Sequence, residues 1–152
     1  MLIGIDPILG PDCLALLRAM GHGDEVVLAD ANFPAASTGQ RVVRLDGVTV
    51  DRLLDAVLRV LPIDEFEPAP FVGMRPVAAG GPRPAVIDAM QRVIGRRAGG
   101  QWEITLIDRH AFYERARQAF GVMVTGERRL YGNLIVRKGI IAPEPDHPEG
   151  PR

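Results

Sequence analysis

Four short polar segments carry side chains that could transfer protons or hold a polar ligand. In the first, residues 21–24, a glycine on either side of His22 frees the backbone and leaves the approach of a ligand open. Histidine titrates near neutral pH, which suits general acid–base catalysis. Spacing alone nevertheless favours a plainer role, in which the imidazole meets the last carbonyl groups of a preceding helix.

Asp30 ends the apolar run Val26–Ala29, which has the length of a buried strand. Ligands gather at the carboxyl ends of strands in α/β sheets, and an acidic side chain there could accept hydrogen bonds from ligand hydroxyls or orient an imidazole. The alternative is a turn cap formed together with Asn32. The residues alone leave both roles open.

Arg109 and His110 stand at a predicted strand-to-helix junction. The guanidinium of Arg109 could donate several hydrogen bonds to a polyol, or it could form a surface ion pair with Glu114. His110 could equally be a general base. Spacing alone does not rank His110 below His22.

The fourth segment contains Tyr131, Gly132 and Asn133. If the chain is extended there, Tyr131 and Asn133 point to the same face, where a hydroxyl and a carboxamide could grip a polyol. Most segments of this composition are hairpin turns, so this motif is weak by itself.

Several familiar kinds of site find no support in the sequence. The histidines His22, His110 and His147 show no paired spacing and Cys13 is the single cysteine, so no metal site is predicted. Cys13 lies in an apolar run and is expected to be buried and structural. The chain has no phosphate-binding glycine loop, and its only serine, Ser37, is not in a nucleophile elbow.

The composition is that of one soluble domain: 152 residues, 47% hydrophobic and 24% charged. A formal net charge of -1 argues against a nucleic-acid partner. The amino terminus lacks the features of a secretory signal, and no apolar run approaches the ~20 residues of a membrane span. We therefore expect a soluble, cytoplasmic protein that binds neither nucleic acid nor membranes.

Hydrophobic periodicity predicts the elements that must position these side chains. Helices are predicted over 11–20, 50–61, 85–97 and 111–119, with strands over 26–30, 41–45, 71–75, 102–107, 120–125 and 133–137. Residues 31–40 read as a loop. The alternation of strands and helices predicts one three-layer α/β domain over 1–141. The proline-rich tail, 142–152, is expected to be disordered or ordered only against a neighbouring subunit.

Taken together and in order, these motifs resemble the family of small sugar-isomerising proteins that includes L-fucose mutarotase and D-ribose pyranase. The resemblance covers about residues 2–141. It implies a three-layer α/β/α domain with a mixed, mostly parallel sheet. The motifs that carry it are residues 20–25, 30–35, 41–47, 111–116, 125–128 and 131–133.

The resemblance also implies roles for the candidate residues. His22 matches the family's catalytic proton donor, and Asp30, Arg109 and the segment from Tyr131 through Gly132 to Asn133 match positions that contact the sugar. Within the site, Asp30 is expected to orient His22 or a sugar hydroxyl. The run 112–115 and the arginine before it look like the fucose branch. The chain departs from the family in having His110 and in its glycine- and proline-rich stretch, 80–84.

The expected activity is therefore the exchange of α and β anomers of a free monosaccharide, L-fucose above all, by acid–base ring opening and closure. Such a reaction needs no metal or other cofactor. The family implies a homo-oligomer, in some members a ring-like decamer, with active sites near subunit boundaries. A D-ribose pyranase, a broader aldose mutarotase and a non-catalytic sugar-binding or sensor protein are the alternatives.

Overall fold

The sheet of this protein is covered by helices on both faces in a computed structural model that describes residues 1–39, 41–77 and 81–143. Helices and strands alternate through most of the chain. In order they are α1 Pro11–Ala19, β1 Glu25–Ala29, α2 Ala35–Thr38, β2 Val42–Leu45, α3 Val50–Val57, β3 Phe71–Met74, α4 Ala85–Arg97, β4 Thr105–Ile107, α5 Arg109–Gln118, β5 Gly121–Thr125 and β6 Leu134–Arg137.

Six strands form one sheet in the order β2-β5-β1-β6-β3-β4. The pairs β1–β5, β2–β5 and β3–β4 are parallel, whereas β6 runs antiparallel to both β1 and β3. The expected three-layer α/β/α domain with a mixed, mostly parallel sheet is therefore confirmed.

The central strand β1 is buried on both faces, as its continuous apolar run predicts. Val26 and Leu28 pack into a core shared with α1, α3 and α4. Val27 and Ala29 face the opposite core, which is formed with α2 and α5. Two cores on one strand fix its position, so the residues at its two ends are held firmly in place.

The predicted elements differ from the structure by more than one residue in four places. The predicted loop 31–40 contains the short helix α2. Helix α3 ends at Val57, and the chain continues to Leu61 in turns, not as a helix. Strand β4 begins at Thr105 rather than near Trp102. Helix α5 begins two residues early because the Asp108 side chain caps it, accepting a hydrogen bond from the backbone N–H of His110 at 2.8 Å.

Two expectations fall partly outside the described residues. Of the tail 142–152, the structure describes only Ala142 and Pro143, both exposed. Of the stretch 80–84, it describes residues 81–84, which form the connection into α4. The extent of the domain and the state of the tail remain predictions.

Candidate functional site

A pocket of about 200 Å³ opens where three strands of the sheet end. Asp30 follows β1, Met74 ends β3 and Arg109 follows β4, so the sheet brings together residues that are far apart in sequence. Three of the side chains that line it are aromatic and four others are polar or charged. The lining residues are Asp30, Asn32, Phe33, Met74, Val77, Arg109, Tyr113, Leu130, Tyr131 and Asn133.

Asp30 and Asn133 form a reciprocal hydrogen-bonded pair at the base of this pocket. The backbone N–H of Asp30 donates to Oδ1 of Asn133 at 3.0 Å, and Nδ2 of Asn133 donates to Oδ2 of Asp30 at 2.7 Å. The other carboxylate oxygen accepts from the backbone N–H of Asn32 at 2.9 Å. Asp30 therefore caps the turn at Asn32 and lines the pocket at the same time.

The surroundings of Asp30 suit a carboxyl group that transfers protons or forms hydrogen bonds with a ligand. Burial raises the pKa of its carboxyl group, and the hydrogen bonds from Asn32 and Asn133 only partly offset that effect. A carboxyl group with a raised pKa at the base of a pocket is typical of functional sites.

Tyr131 enters the pocket through an unusual backbone conformation. Its φ is 69°, in the left-handed region, so the condition of an extended chain is not met at this residue. Tyr131 and Asn133 nevertheless line the same pocket, and the Tyr131 hydroxyl accepts a hydrogen bond from the Val77 backbone at 3.2 Å. Gly132 packs beneath, where a Cβ would lie 2.8 Å from Cγ of Glu127, so a larger residue would push the segment outward.

An ion pair between the buried Glu127 and the exposed Arg129, which the sequence reasoning missed, holds this segment. Glu127 is 2% exposed, and Arg129 donates to both of its carboxylate oxygens, at 2.9 and 2.6 Å. The same guanidinium reaches Asp51 on α3 at 2.7 Å. The hydrogen bonds from Arg129 hold the pKa of Glu127 below its usual range.

Arg109 and His110 begin α5, and the structure separates their roles. Arg109 is exposed and lines the pocket, whereas His110 is exposed and is not among the lining residues. The alternative pairing of Arg109 with Glu114 does not occur in the described part of the chain, where Glu114 pairs with Arg117. The contribution of His110 is its backbone N–H in the Asp108 cap.

His22 lies in a different setting, against the loop that follows α3. Its Nε2 is 3.3 Å from Oδ1 of Asp64, and its ring meets the Phe66 ring edge-on, with centroids 6.2 Å apart. The imidazole is 48% exposed, whereas the side chain of Asp64 is 4% exposed. A half-exposed histidine anchored by a buried carboxylate is well placed to meet a ligand from outside.

Asp64 is a second residue that the sequence reasoning missed. Burial opposes its charged form, but hydrogen bonds from Nε of Arg137, at 3.0 Å, and from His22 outweigh that effect and hold the Asp64 pKa below its usual range. The carboxylate therefore stays ionised and fixes the imidazole. Its partner is 42 residues away in sequence, so no local pattern pointed to the pair.

The helix-capping role once open to His22 is filled by another side chain. Nζ of Lys138 donates to the carbonyl oxygens of Leu17, at 2.9 Å, and Met20, at 2.6 Å. Both carbonyls stand at the end of α1, where a cation is favourable. The imidazole of His22 is thus free of that structural task.

The sequence model of the RbsD / FucU transport protein family matches residues 3–141. The chain belongs to this family. The matched range contains every candidate residue described above, from His22 to Asn133, and nearly the whole described structure. Membership confirms the resemblance that the ordered motifs indicated.

Named members of the RbsD / FucU family match this one over most of their length. The L-fucose mutarotase of Histophilus somni is 42% identical over 140 residues, 92% of this chain and 97% of that protein. The human fucose mutarotase is 44% identical over 148 residues, 93% and 96% of the two chains. The fucose mutarotase of Streptococcus pneumoniae, solved in complex with L-fucose, superposes with a TM-score of 0.86 at 38% identity, covering 93% and 100%.

The pocket and His22 of this RbsD / FucU family member lie at opposite ends of β1. His22 precedes the strand and Asp30 follows it, and the five-residue strand that lies between them spans about 16 Å at the usual rise per residue. Of the two tasks expected of Asp30, orienting His22 does not fit the geometry within one subunit, where Asp64 takes that place, and holding a sugar hydroxyl stays a prediction. The signal was present in the sequence, since the predicted strand separates the two residues.

The described residues of this RbsD / FucU family member show neither a metal cluster nor a membrane helix. No group of three or more histidine, cysteine, aspartate or glutamate side chains in residues 1–39, 41–77 and 81–143 is arranged to hold a metal ion. Within the same ranges, none of the helices has the length and apolar character needed to cross a membrane. Cys13 is buried and unpaired.

Proposed function

We propose that this RbsD / FucU family member is an L-fucose mutarotase, an isomerase that interconverts the α and β anomers of the free sugar. The observation that carries the proposal is the pocket itself, in which Asp30, Arg109, Tyr131 and Asn133 converge at the carboxyl ends of the strands. These groups offer the mixture of donors and acceptors that a polyol needs. The relatives named L-fucose mutarotase, 42–44% identical over most of the chain, support fucose as the sugar.

The reaction requires two proton transfers and no change of oxidation state. The ring oxygen gains a proton while the anomeric hydroxyl loses one, so the bond between C1 and the ring oxygen breaks and an open aldehyde forms. Rotation about the bond between C1 and C2 and reclosure by the reverse steps give the other anomer. General acid–base assistance contributes ~10²–10⁴-fold to such steps. The net change is zero, so no cofactor is consumed.

In this mechanism His22 protonates the ring oxygen, water takes up the proton that leaves the anomeric hydroxyl, and the pocket holds the sugar. Asp30 accepts a hydrogen bond from a sugar hydroxyl, with its other contacts fixed by Asn133. Arg109, Tyr131 and Asn133 set the orientation of the ring. Asp64 is a positioning residue, because it holds the imidazole of His22 and is itself held by Arg137.

A complete site then needs two subunits, since His22 and the pocket lie at opposite ends of β1 in one chain. We propose that His22 of a neighbouring subunit enters the mouth of the pocket. A head-to-tail interface generates a ring where its rotation closes, which fits a ring-like homo-oligomer such as a decamer. Exposed apolar side chains at both ends support it: Phe66 against the His22 ring, with Ile140 lining one hollow together with Phe66, and Val77 and Leu130 at the pocket.

The proposed location is the cytoplasm. The single cysteine, Cys13, is a buried free thiol, and such a thiol suits a reducing compartment. A fluorescent fusion observed beside a cytoplasmic marker would test the location, and export to another compartment would contradict it.

Saturation-transfer NMR on L-fucose, D-ribose and D-galactose tests the proposed activity. The anomeric protons of one form are saturated, and the loss of signal in the other form reports the exchange rate. We expect acceleration that is greatest for L-fucose. Greater acceleration for D-ribose would favour a pyranase, equal acceleration a broad aldose mutarotase, and saturable binding with unchanged exchange a sensor protein.

A further inference from the structure

A second concave surface, unrelated to the sugar pocket, lies between α3 and α4. Four arginines and two aspartates line a hollow of about 390 Å³, together with one apolar side chain. They are Arg52, Arg59, Arg96, Arg97, Asp51, Asp55 and Val93. None of these residues lines the sugar pocket, so the surface has no part in the mechanism above.

Three guanidinium groups in this hollow share a single carboxylate. Arg97 binds Asp55 in a bidentate manner, with Nε 2.8 Å from Oδ1 and Nη2 2.9 Å from Oδ2. Arg59 donates from Nε and Nη2 to Oδ2 alone, at 3.2 and 3.0 Å. Nη2 of Arg96 stays 3.7 Å from Oδ1, outside hydrogen-bond distance.

The remaining charges of the hollow are already neutralised by neighbours. Arg52 pairs with Asp6 at 2.8 Å, and Asp51 pairs with Arg129 at 2.7 Å. The balance around Asp55 is therefore three positive groups against one negative group, a surplus of two positive charges. Guanidinium groups crowded around one carboxylate repel one another, so a dianion would be attracted here.

The donors left over suit a phosphate group. Each guanidinium has five N–H donors in a planar fork. Asp55 accepts hydrogen bonds from only some of the donors of Arg59, and it accepts none from Arg96. The fork matches the spacing of phosphate oxygens, which is why arginine is favoured in phosphate sites. The hollow of about 390 Å³ also has room beyond a lone phosphate ion, since four oxygens at the roughly 30 Å³ that a water molecule occupies in the liquid take up only about 120 Å³.

We infer that the hollow between α3 and α4 binds the phosphate group of a small phosphate-bearing molecule, with Arg59, Arg96 and Arg97 as its ligands. Arg97 and Asp55 form the fixed base of the site. Arg96, whose side chain is 65% exposed, turns onto the phosphate when it binds. The ligand is either inorganic phosphate or a phosphate monoester of a small molecule such as a sugar.

Titration with inorganic phosphate, followed by the ¹⁵Nε–H signals of the arginines at constant ionic strength, tests this site. We expect saturable shifts of the Arg59 and Arg97 signals and at least about tenfold weaker binding in Arg96→Gln, because one charge-assisted contact is lost. Arg92→Gln is the matched control, since Arg92 is an exposed arginine on the same helix outside the hollow. It should bind phosphate as the wild type does.

A parallel titration with a hexose 1-phosphate identifies the source of the phosphate group. Tighter binding of the hexose phosphate would point to a phosphate monoester, and equal binding to inorganic phosphate, and either result supports the site. Shifts that grow linearly without saturation would overturn it. Equal weakening in Arg96→Gln and Arg92→Gln would overturn it too, because the effect would then be one of general charge.

Discussion

His22 and Asp30 stand at the two ends of the same strand, β1, which is fixed by packing on both of its faces. At one end the imidazole of His22 contacts Asp64, and at the other end the carboxylate of Asp30 pairs with Asn133. No side-chain rotation can bring them together across about 16 Å of buried strand. Joint action on one sugar therefore requires two copies of the chain.

Mixed oligomers test this division of the site between subunits. His22→Ala and Asp30→Asn should each abolish acceleration of anomer exchange when purified alone. After dissociation and reassembly together, about a quarter of the sites would combine an intact His22 from one subunit with an intact Asp30 from another, so activity should return. Saturation-transfer NMR measures that recovery.

The control for this experiment is a mixture of each variant with itself, treated identically. It should remain inactive. If the mixed assembly also remains inactive while retaining the wild-type mass, the sites are not shared between subunits. His22 and Asp30 would then act separately.

Asp64→Asn should slow anomer exchange at least about tenfold while leaving sugar binding nearly unchanged, because it disturbs the imidazole and not the pocket. The neighbouring substitution Glu65→Gln is the matched control, since Glu65 is exposed. Exchange rates and sugar titrations on both variants separate the two effects. A loss of binding without a loss of rate at saturation would place Asp64 elsewhere in the mechanism.

Arg109 and His110 should respond differently to substitution. Arg109→Gln removes a charged donor from the pocket and should raise the sugar concentration for half-saturation about tenfold. His110→Gln should leave both rate and affinity unchanged, since its side chain is outside the pocket and its backbone still completes the Asp108 cap. A large rate loss in His110→Gln would revive His110 as the general base.

Asp55 should make a pH-dependent contribution to stability. The hydrogen bonds from Arg97, set against burial, lower its pKa from 3.8 to about 2, so the stabilisation is complete above pH 4 and is lost as the pH falls through about 2. Asp55→Asn should lower the free energy of unfolding by about 2 kcal/mol near neutral pH. Urea unfolding at several pH values would show that difference shrinking in acid.

The matched control for the stability measurement is Asp46→Asn, at an exposed residue without an ion pair in the described part of the chain. Its effect should be small and nearly independent of pH. A difference between Asp55→Asn and the wild type that stays constant down to pH 2 would mean that the charge of Asp55 does not stabilise the fold.

Most of the layered fold could be predicted because its signals are local. The apolar run of β1 shows that both faces of the strand are buried, and the periodicity of α3 and α4 shows which face of each helix is buried. These patterns can be read from each segment without knowing its partners. The extent of β4 could not be predicted in the same way, because only pairing with β3 decides which residues of that apolar segment join the sheet. Helix α2 was missed because its four small residues carry no periodic pattern.

The residues of the candidate site also divide into those that a local sequence pattern indicates and those that it does not. Asp30, Arg109 and Asn133 were accessible to sequence reasoning because each lies next to an element end, where the sheet gathers ligands. Asp64 and the Glu127–Arg129 pair were not accessible to it, since their roles depend on burial and on contacts that only the folded chain makes. The left-handed backbone of Tyr131 was not predicted either, because residues other than glycine rarely adopt that region.

The exchange of L-fucose anomers by the His22→Ala variant is the most direct test of the proposed catalysis. Saturation-transfer NMR on wild type and variant at equal concentration gives both rates under one set of conditions. We predict that the variant loses ~10²–10⁴-fold of the acceleration and approaches the rate of the sugar in buffer, while still assembling and binding sugar. A variant that exchanges anomers at the wild-type rate would contradict His22 as the proton donor.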